Sequence, residues 1–333
     1  MDQFGLRDAE RLLYEFALGL DFQRVADAGT PGRVNRPLVK ALGGHGLLPR
    51  LFADVSAIEL CLIREALARR CPEAETAFGV QGLGAYPILQ SGSEELKAEW
   101  IPRVAAGTAV SAFALTEREA GSDARAMQTA AEPDGDAGYR LTGEKLWISN
   151  APDADIYTVF ARAPEGITAF AVPGELTGGE PIEMLAEHAI GSVTLQDVFV
   201  PRDHVLGEPG AGFKVAMRTL DLFRPSVGAF AVGMARHAID IAVAHTSQRQ
   251  AFGRPLKDNQ AVAHRLADIA ARLTAARALV HQAARAHDAG VLGPSLAAMA
   301  KLVATEVAQE AVDAAVQFHG ASGRVGQPLV VTV

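Results

Sequence analysis

The feature that most constrains the fold of this chain is a change in its hydrophobic period, which occurs twice. Residues 1 to about 108 and about 211 to 319 repeat apolar side chains at helical spacing, as Ile58 and Leu62 illustrate. From about 109 to 207, short apolar runs are separated by turn residues, which is typical of strands. No long helical segment separates these runs. The sequence therefore predicts an antiparallel barrel or sandwich there, rather than a parallel dinucleotide-binding sheet.

This alternation predicts an α+β fold with three domains. We place an N-terminal helical domain at 1–108, a central β-domain at 109–207 and a C-terminal helical bundle at 208–333. In the helical domains, Ser93 is a predicted N-cap, and Gly290 is predicted to follow a helix end. The expected strands of the central domain span 110–115, 139–142, 146–149, 156–161, 167–172 and 193–200.

Composition excludes several classes of partner and location. The 333 residues carry a formal charge of −8, which disfavours a surface for nucleic acid or anionic membrane. No apolar run reaches the roughly 18 residues of a membrane span, and the first residues lack the apolar core of a signal peptide. Cys61 and Cys71 are too far apart along a helix to bridge, so we expect buried thiols and a cytoplasmic protein. No histidine shows metal-ligand spacing, and we expect no metal.

Two short stretches carry the chemistry of the central block. Residues 113–123 read F-A-L-T-E-R-E-A-G-S-D, an apolar run that ends in a loop of hydroxyls and carboxylates. Residues 145–150 read K-L-W-I-S-N, a second short strand with an indole and a hydroxyl at its tip. Such an arrangement suits a flat aromatic ligand with polar edges, and an isoalloxazine ring is one. From the residues alone, a surface loop beside a core tryptophan is the alternative.

The two stretches together resemble the acyl-CoA dehydrogenase flavoprotein family. The strings A-L-T-E-R-E-A-G-S-D at 114–123 and G-E-K-L-W-I-S-N at 143–150 match its signatures in order and spacing, and the likeness extends over about 6–323. The resemblance implies FAD and α,β-dehydrogenation of an acyl-CoA thioester: a proton goes to a base, a hydride to flavin N5. It also implies acyl-CoA metabolism, a homodimer or homotetramer, and an electron-transferring flavoprotein or similar acceptor.

By the same resemblance, Thr116 faces the pyrimidine end of the flavin, Trp147 covers one ring edge and Ser149 offers its hydroxyl near N5. The cofactor-binding residues implied in the central block are Phe113, Leu115, Thr116, Gly121, Ser122, Trp147, Ile148 and Ser149.

The last helical block carries two further matches. Residues 249–253, R-Q-A-F-G, resemble an element that meets the FAD pyrophosphate and adenine of a neighbouring subunit, and an arginine fork suits a phosphate. Residues 317–321, Q-F-H-G-A, resemble a second adenosine-side element, with Ala321 in place of its usual glycine. Without the resemblance, the first is a solvated helix end. The implied cofactor residues here are Arg249, Phe252, Gln260, Gln317, Gly320 and Ala321.

The implied substrate contacts are Ser122, Asp221 and Arg224. The last two match an Asp-x-x-Arg motif, which without the resemblance is an exposed i,i+3 ion pair on an amphipathic helix. No catalytic carboxylate is found: the usual family glutamate would lie beyond Val333, and the minority position is Phe223. We therefore interpret the chain as a truncated or frame-shifted member with impaired activity, in preference to a divergent one.

Two other functions stay open. A related flavin oxidase or nitroalkane-type enzyme could use another residue on the same scaffold, and a non-catalytic oligomerising relic would have lost its cofactor. A nicotinamide enzyme is disfavoured because no Gly-x-Gly-x-x-Gly follows a strand. The region 48–56 lacks the family's Gly-Gly loop, which leaves the acyl-chain specificity open, as are the electron acceptor and the pathway.

Overall fold

A computed structural model of the protein describes residues 6–186, 188–291 and 293–323. The ends of the predicted terminal domains, 1–5 and 324–333, lie outside the described residues, and so does the tail on which the interpretation of truncation rests. The helices are α1 (Asp8–Gly19), α2 (Gln23–Ala26), α3 (Arg36–Gly44), α4 (Ala57–Arg70), α5 (Pro72–Ser91), α6 (Glu94–Ala105), α7 (Gly212–Gln248), α8 (Gln260–Asp288) and α9 (Pro294–His319). The strands are β1 (Ser111–Ala114), β2 (Ala130–Asp134), β3 (Gly138–Ser149), β4 (Ile156–Ala163), β5 (Gly166–Pro173), β6 (Ile190–Pro201), β7 (Gln250–Ala251) and β8 (Arg254–Pro255).

The predicted order of helical, strand-rich and helical blocks is confirmed. In space the chain divides into two compact units, and we describe each by itself. Among the described residues, the helical unit comprises those of 6–21, 56–75 and 221–323, and the sheet unit comprises those of 22–55 and 76–220. The domain boundaries at 108/109 and 207/208 stay a prediction.

The sheet of the sheet unit is mixed, whereas the sequence predicted an antiparallel one. Strand β1 runs parallel to β4, with Ser111 opposite Ile156, and β2 also meets β4 in parallel through one residue pair. The remaining pairs, β2–β3, β3–β6 and β4–β5, are antiparallel. β1 and β4 are neighbours in the sheet, but the β2–β3 hairpin separates them in the sequence. The chain therefore returns beside β1 in the same direction, which makes the pair parallel.

Strand β3 replaces two predicted strands. Its ladder with β6 is interrupted between Leu141 and Gly143 and again between Lys145 and Ile148, and each interruption is a β-bulge or irregularity within one 12-residue strand. Gly143 has a φ of 155° at the first of these. Since a bulge breaks the apolar alternation, the sequence suggested two strands where the backbone is continuous.

Helix α5 fixes the position of β1 in the sheet unit. The side chain of Gln81 accepts a hydrogen bond from the main chain of Ser111 at 2.8 Å and donates one to the carbonyl of Ala109 at 2.8 Å. A Cβ on Gly84 would lie 2.5 Å from the nitrogen of Ala112, so the helix backbone directly contacts the strand. This close approach requires glycine at position 84.

Helix α7 is the one helix among the described residues that is long and apolar enough, by length and composition, to cross a membrane. Within its most apolar window, 56% is buried in the protein. Inside the helical unit, a Cβ on Gly233 would lie 2.3 Å from the carbonyl oxygen of Glu65, and one on Gly228 would lie 2.8 Å from Val280. These contacts are those of a core helix that packs closely against α4 and α8.

The helices pack around buried charge as well as apolar surface. Glu65 accepts from Arg277 Nε at 2.7 and 2.9 Å and lies 3.3 Å from His281 Nε2. Burial opposes ionisation of this carboxyl, but the His281 hydrogen bond and the Arg277 charge outweigh it and lower the pKa of Glu65. The two cysteines are buried and free, as expected, with Cys71 just after the end of α4.

We predict that Glu65 makes the free energy of unfolding vary with pH in the acidic range. Glu65→Gln should lower the free energy of unfolding by about 2 kcal/mol at pH 7, because it weakens hydrogen bonds to a charged group. Because the pKa of Glu65 is lower in the folded state, its carboxylate contributes stability at pH values above the unfolded pKa of 4.5. This contribution is lost as the pH falls through the folded pKa. The difference between wild type and variant should therefore shrink below about pH 4.5. Urea unfolding at several pH values measures it.

Glu15→Gln is the matched control, because Glu15 pairs with Arg11 at 3.0 Å on the exposed face of α1. It should leave the free energy of unfolding nearly unchanged throughout. A wild-type-to-Glu65→Gln difference that stays constant from pH 7 to pH 3.5 would contradict the prediction.

Candidate functional site

The two sequence stretches meet in the sheet unit. The main-chain nitrogen of Leu146 donates to the carbonyl oxygen of Thr116 at 3.0 Å. One residue earlier in each segment, Lys145 Nζ donates to the carbonyl of Leu115 at 3.2 Å. The loop that follows β1 is therefore attached to the end of β3, where the indole and the second hydroxyl lie.

Glu117 is the centre of a buried polar network in this loop. Its carboxylate accepts from the main chain of Gln128 at 2.6 Å, from Thr129 Oγ1 at 2.6 Å and from Lys145 Nζ at 2.8 Å. Burial opposes its ionisation, but these donors outweigh it and lower the pKa of Glu117. Lys145 is fully buried. The network joins three segments of chain around one carboxylate.

Trp147 lies at the second bulge of β3 in an uncommon conformation. Its φ is 59°, in the left-handed region that bulky residues rarely adopt, and its side chain is 53% exposed. Its neighbour Ile148 is buried in the core. The bulge thus directs Ile148 inward and presents an indole at the surface beside the Thr116 loop.

Ser149 is hydrogen-bonded to a residue that sequence reasoning did not consider. Its Oγ lies 2.9 Å from Nε2 of His188, in the segment before β6, and burial lowers the pKa of that imidazole. The adjacent main chain is fixed as well, because Asn150 donates to the carbonyl of Ala189 at 2.8 Å. The Ser149 hydroxyl is therefore held at the strand end with a titratable partner.

The other residues predicted for this part of the site flank the same loop. The ring of Phe113 packs against Phe160 at a centroid distance of 4.9 Å, inside the sheet unit. Gly121 and Ser122 are exposed in the loop, and a Cβ on Gly121 would meet nothing within 4 Å. Phe113 is thus placed as a packing residue, while the loop glycine and serine are accessible to a ligand.

The residues predicted for the adenosine side lie in the helical unit, at neighbouring helix ends. Arg249 follows α7 and opens the β7–β8 hairpin, whose tip holds Phe252 at a φ of 55° and 94% exposure. The rings of His245 and His319 stack at 4.3 Å, which brings the end of α7 beside the end of α9. Gln260 begins α8, Gln317 lies in the last turn of α9, and Gly320 and Ala321 follow it; all four are exposed.

The predicted substrate pair is formed within the helical unit. Arg224 Nη1 donates to Asp221 Oδ1 at 3.0 Å, and both side chains are about one-third exposed. Phe223, between them, is buried. This geometry agrees equally with a binding pair and with a structural i,i+3 ion pair, so the roles of these residues stay predictions.

The helical unit also contains a cavity of about 320 Å³ between α1, α4, α7 and α8. Glu65, Arg277 and Tyr14 lie in its wall, and none of the residues predicted from sequence lines it. Its charged groups are engaged with one another, as the Glu65–Arg277 contact at 2.7 Å shows. We assign it no function.

Sequence reasoning missed Glu117, Lys145 and His188. Glu117 and Lys145 stand inside the stretches 114–123 and 143–150, but the sequence does not show that their side chains meet. His188 lies 39 residues from Ser149, and no local pattern signals it.

Comparison with known proteins gives a consistent result along the chain. The family model described as "Acyl-CoA dehydrogenase, N-terminal domain" matches residues 19–108, the middle-domain model of that family matches 112–200 and its C-terminal-domain model matches 210–329. A probable acyl-CoA dehydrogenase of Mycobacterium tuberculosis is 40% identical over 338 residues, covering 96% of this chain and 85% of that protein.

Two solved structures are similar throughout. The butyryl-CoA dehydrogenase of Megasphaera elsdenii has a TM-score of 0.90 at 33% identity, covering 98% of this chain and 91% of that one. A glutaryl-CoA dehydrogenase of Mycobacterium smegmatis in complex with FADH2 has a TM-score of 0.88 at 28% identity, covering 97% of this chain and 87% of that one.

Proposed function

Because the chain belongs to the acyl-CoA dehydrogenase family, we propose that it binds FAD and dehydrogenates an acyl-CoA thioester between its α- and β-carbons. The observation that carries the proposal is the attachment of the Thr116 loop to the end of β3, beside the exposed Trp147. When bound, FAD supplies the hydride acceptor. Butyryl-CoA and glutaryl-CoA, named for the similar structures, indicate the substrate class to test first.

The residues present fit such a cofactor. An exposed indole offers a face to a flat ring, and the Ser149 hydroxyl offers a donor at one edge. In the helical unit, the Arg249 guanidinium suits a diphosphate, and Phe252 is exposed beside it. We propose that Trp147 and Ser149 contact the flavin, that Arg249 and Phe252 contact the FAD of a neighbouring subunit, and that Ser122, Asp221 and Arg224 are each contacts of acyl-CoA.

We further propose that Phe223 does not supply the base for α-proton removal, because its side chain cannot accept a proton. The proposal extends to a cytoplasmic homodimer or homotetramer that passes electrons to an electron-transferring flavoprotein or a similar acceptor.

The test is reduction of the bound cofactor. The purified chain is loaded with FAD, absorbance is followed at about 450 nm, and butyryl-CoA or glutaryl-CoA is added without oxygen. Bleaching with formation of the α,β-unsaturated thioester is the expected result. A chain that binds no FAD would overturn the proposal and favour a non-catalytic relic, and peroxide release during turnover would favour the oxidase alternative.

Phe223→Glu tests whether a carboxylate at this position can act as the base, and Phe223→Gln is its control of equal size without a proton acceptor. Because a positioned general base contributes about 100-fold or more, Phe223→Glu should bleach the cofactor at least about 10-fold faster than Phe223→Gln. Equal bleaching rates in the two variants would contradict a role of position 223 in proton removal, while leaving the assignment of the reaction intact.

A further inference from the structure

A buried ion pair lies next to the proposed flavin-binding residues Thr116 and Trp147 along the chain, although neither of its members was predicted to belong to the site. Lys145 is fully buried and Glu117 is 7% exposed, and their side chains meet at 2.8 Å. Charges taken out of water stabilise a fold only when every donor and acceptor is satisfied. Here the remaining partners include three main-chain groups as well as the Thr129 hydroxyl, so the pair determines the path of the chain around it.

The contacts of the pair reach three separate segments. Lys145 donates to the carbonyl of Leu115, the residue before Thr116. Glu117 accepts from the main chain of Gln128 at 2.6 Å and of Thr129 at 3.0 Å. The loop is also closed on itself, since Glu117 and Ala120 exchange main-chain hydrogen bonds at 3.1 and 3.2 Å. The loop is thus fixed at both ends and tied to the strand that carries Trp147.

A pair needed only for stability could be replaced by apolar side chains of similar volume, often at little loss. A charged pair that holds main-chain groups instead sets the position of the residues between them. Thr116 lies between Leu115 and Glu117, and Trp147 is two residues from Lys145, so the pair is next to both candidate site residues along the chain.

We propose that Lys145 and Glu117 are positioning residues, which hold the Thr116 loop and the Trp147 bulge at the spacing that a flavin ring requires. The inference rests on the proposed function, because it concerns the same proposed flavin-binding site. It assigns these two residues no contact with the flavin or with substrate.

The experiment compares FAD affinity with stability in the full chain. Lys145→Met, Glu117→Gln and the double variant are titrated with FAD, and thermal unfolding of the cofactor-free forms is measured in parallel. Each single variant should bind FAD about 10- to 100-fold more weakly, since small misplacements in a site have effects of this size. Each should also melt at a lower temperature, because one member of the pair is left buried without its partner.

The double variant separates the two roles. It leaves no unpaired buried charge, so its melting temperature should return most of the way to the wild-type value, while its FAD affinity stays low. Arg140→Met is the matched control: Arg140 also lies on β3 and pairs with Asp134 at 2.9 Å, but on the exposed side. It should bind FAD as the wild type does.

A double variant that regains wild-type FAD affinity together with stability would overturn the inference, and so would single variants that bind FAD normally. If the charge variants do not fold, Thr129→Val removes the hydroxyl contact to Glu117 at 2.6 Å without removing a charge. It should weaken FAD binding several-fold, and unchanged binding would again overturn the inference. A wild-type chain that binds no FAD would instead overturn the proposed function itself.

Discussion

Replacing Arg64 by methionine is expected to lower the free energy of unfolding by about 4 kcal/mol, because it removes a guanidinium that is hydrogen-bonded to a buried carboxylate. Arg64 Nε donates to Glu75, which is 1% exposed, and Arg64 Nη1 donates to Ser226 Oγ at 2.7 Å. Methionine keeps the apolar stem of the side chain, so the loss reports the guanidinium alone. Urea unfolding at pH 7 measures the change.

The same measurement on two other variants tests the cause. Arg64→Met combined with Glu75→Gln should recover most of the lost stability, since the buried carboxylate charge is removed together with the guanidinium. Arg11→Met breaks an exposed pair with Glu15 and should change the free energy of unfolding by less than about 0.5 kcal/mol. Equal effects of Arg64→Met and Arg11→Met would show that burial does not determine the contribution of the Arg64 pair.

Replacing Gly84 by valine is expected to destabilise the protein by about 3 kcal/mol or more, because the new side chain must overlap a strand backbone. Even a Cβ would lie 2.5 Å from Ala112 N and 2.7 Å from Ser111 Oγ. Relief requires α5 to move away from β1, which would strain the hydrogen bond from Thr158 Oγ1 to the Gly84 carbonyl at 2.8 Å. Thermal unfolding gives the stability, and FAD titration reports whether the end of β1 has moved.

Gly44→Ala is the matched control, because a Cβ at Gly44 would meet nothing within 4 Å and the residue ends a helix of the same unit. It should leave the melting temperature unchanged or slightly raised, since alanine has the higher helix propensity. Wild-type stability in Gly84→Val would show that α5 and β1 are not in the close contact described.

The sequence predicted the elements whose apolar pattern is long and regular, and missed those that depend on distant chain. Strand β2 went unpredicted because Ala130–Asp134 is short, contains a proline and has no alternation; its pairing with β3 creates it. In α1, Leu12 and Phe16 stand at helical spacing with Leu13, but they are 59% and 48% exposed whereas Leu13 is buried. Periodicity therefore indicates the buried face of a helix only approximately.

The candidate site divides in the same way. The strings that contain Thr116, Trp147 and Ser149 were recognisable one by one, and the contact between Leu146 and Thr116 joins them. That contact lies beside the second bulge of β3 and beside a buried pair whose members are 28 residues apart, which no local pattern encodes. The partner of Ser149, His188, was out of reach for the same reason.

The backbone of Trp147 has a consequence for how this chain could be altered. At a φ of 59° a tryptophan is disfavoured by about 1 kcal/mol or more, whereas glycine would adopt the same conformation freely. An indole that is half in solvent returns little of that energy through burial. Selection for more thermostable variants of this protein would therefore tend to replace Trp147 early. Such variants would gain stability by losing an aromatic side chain of the proposed flavin-binding site.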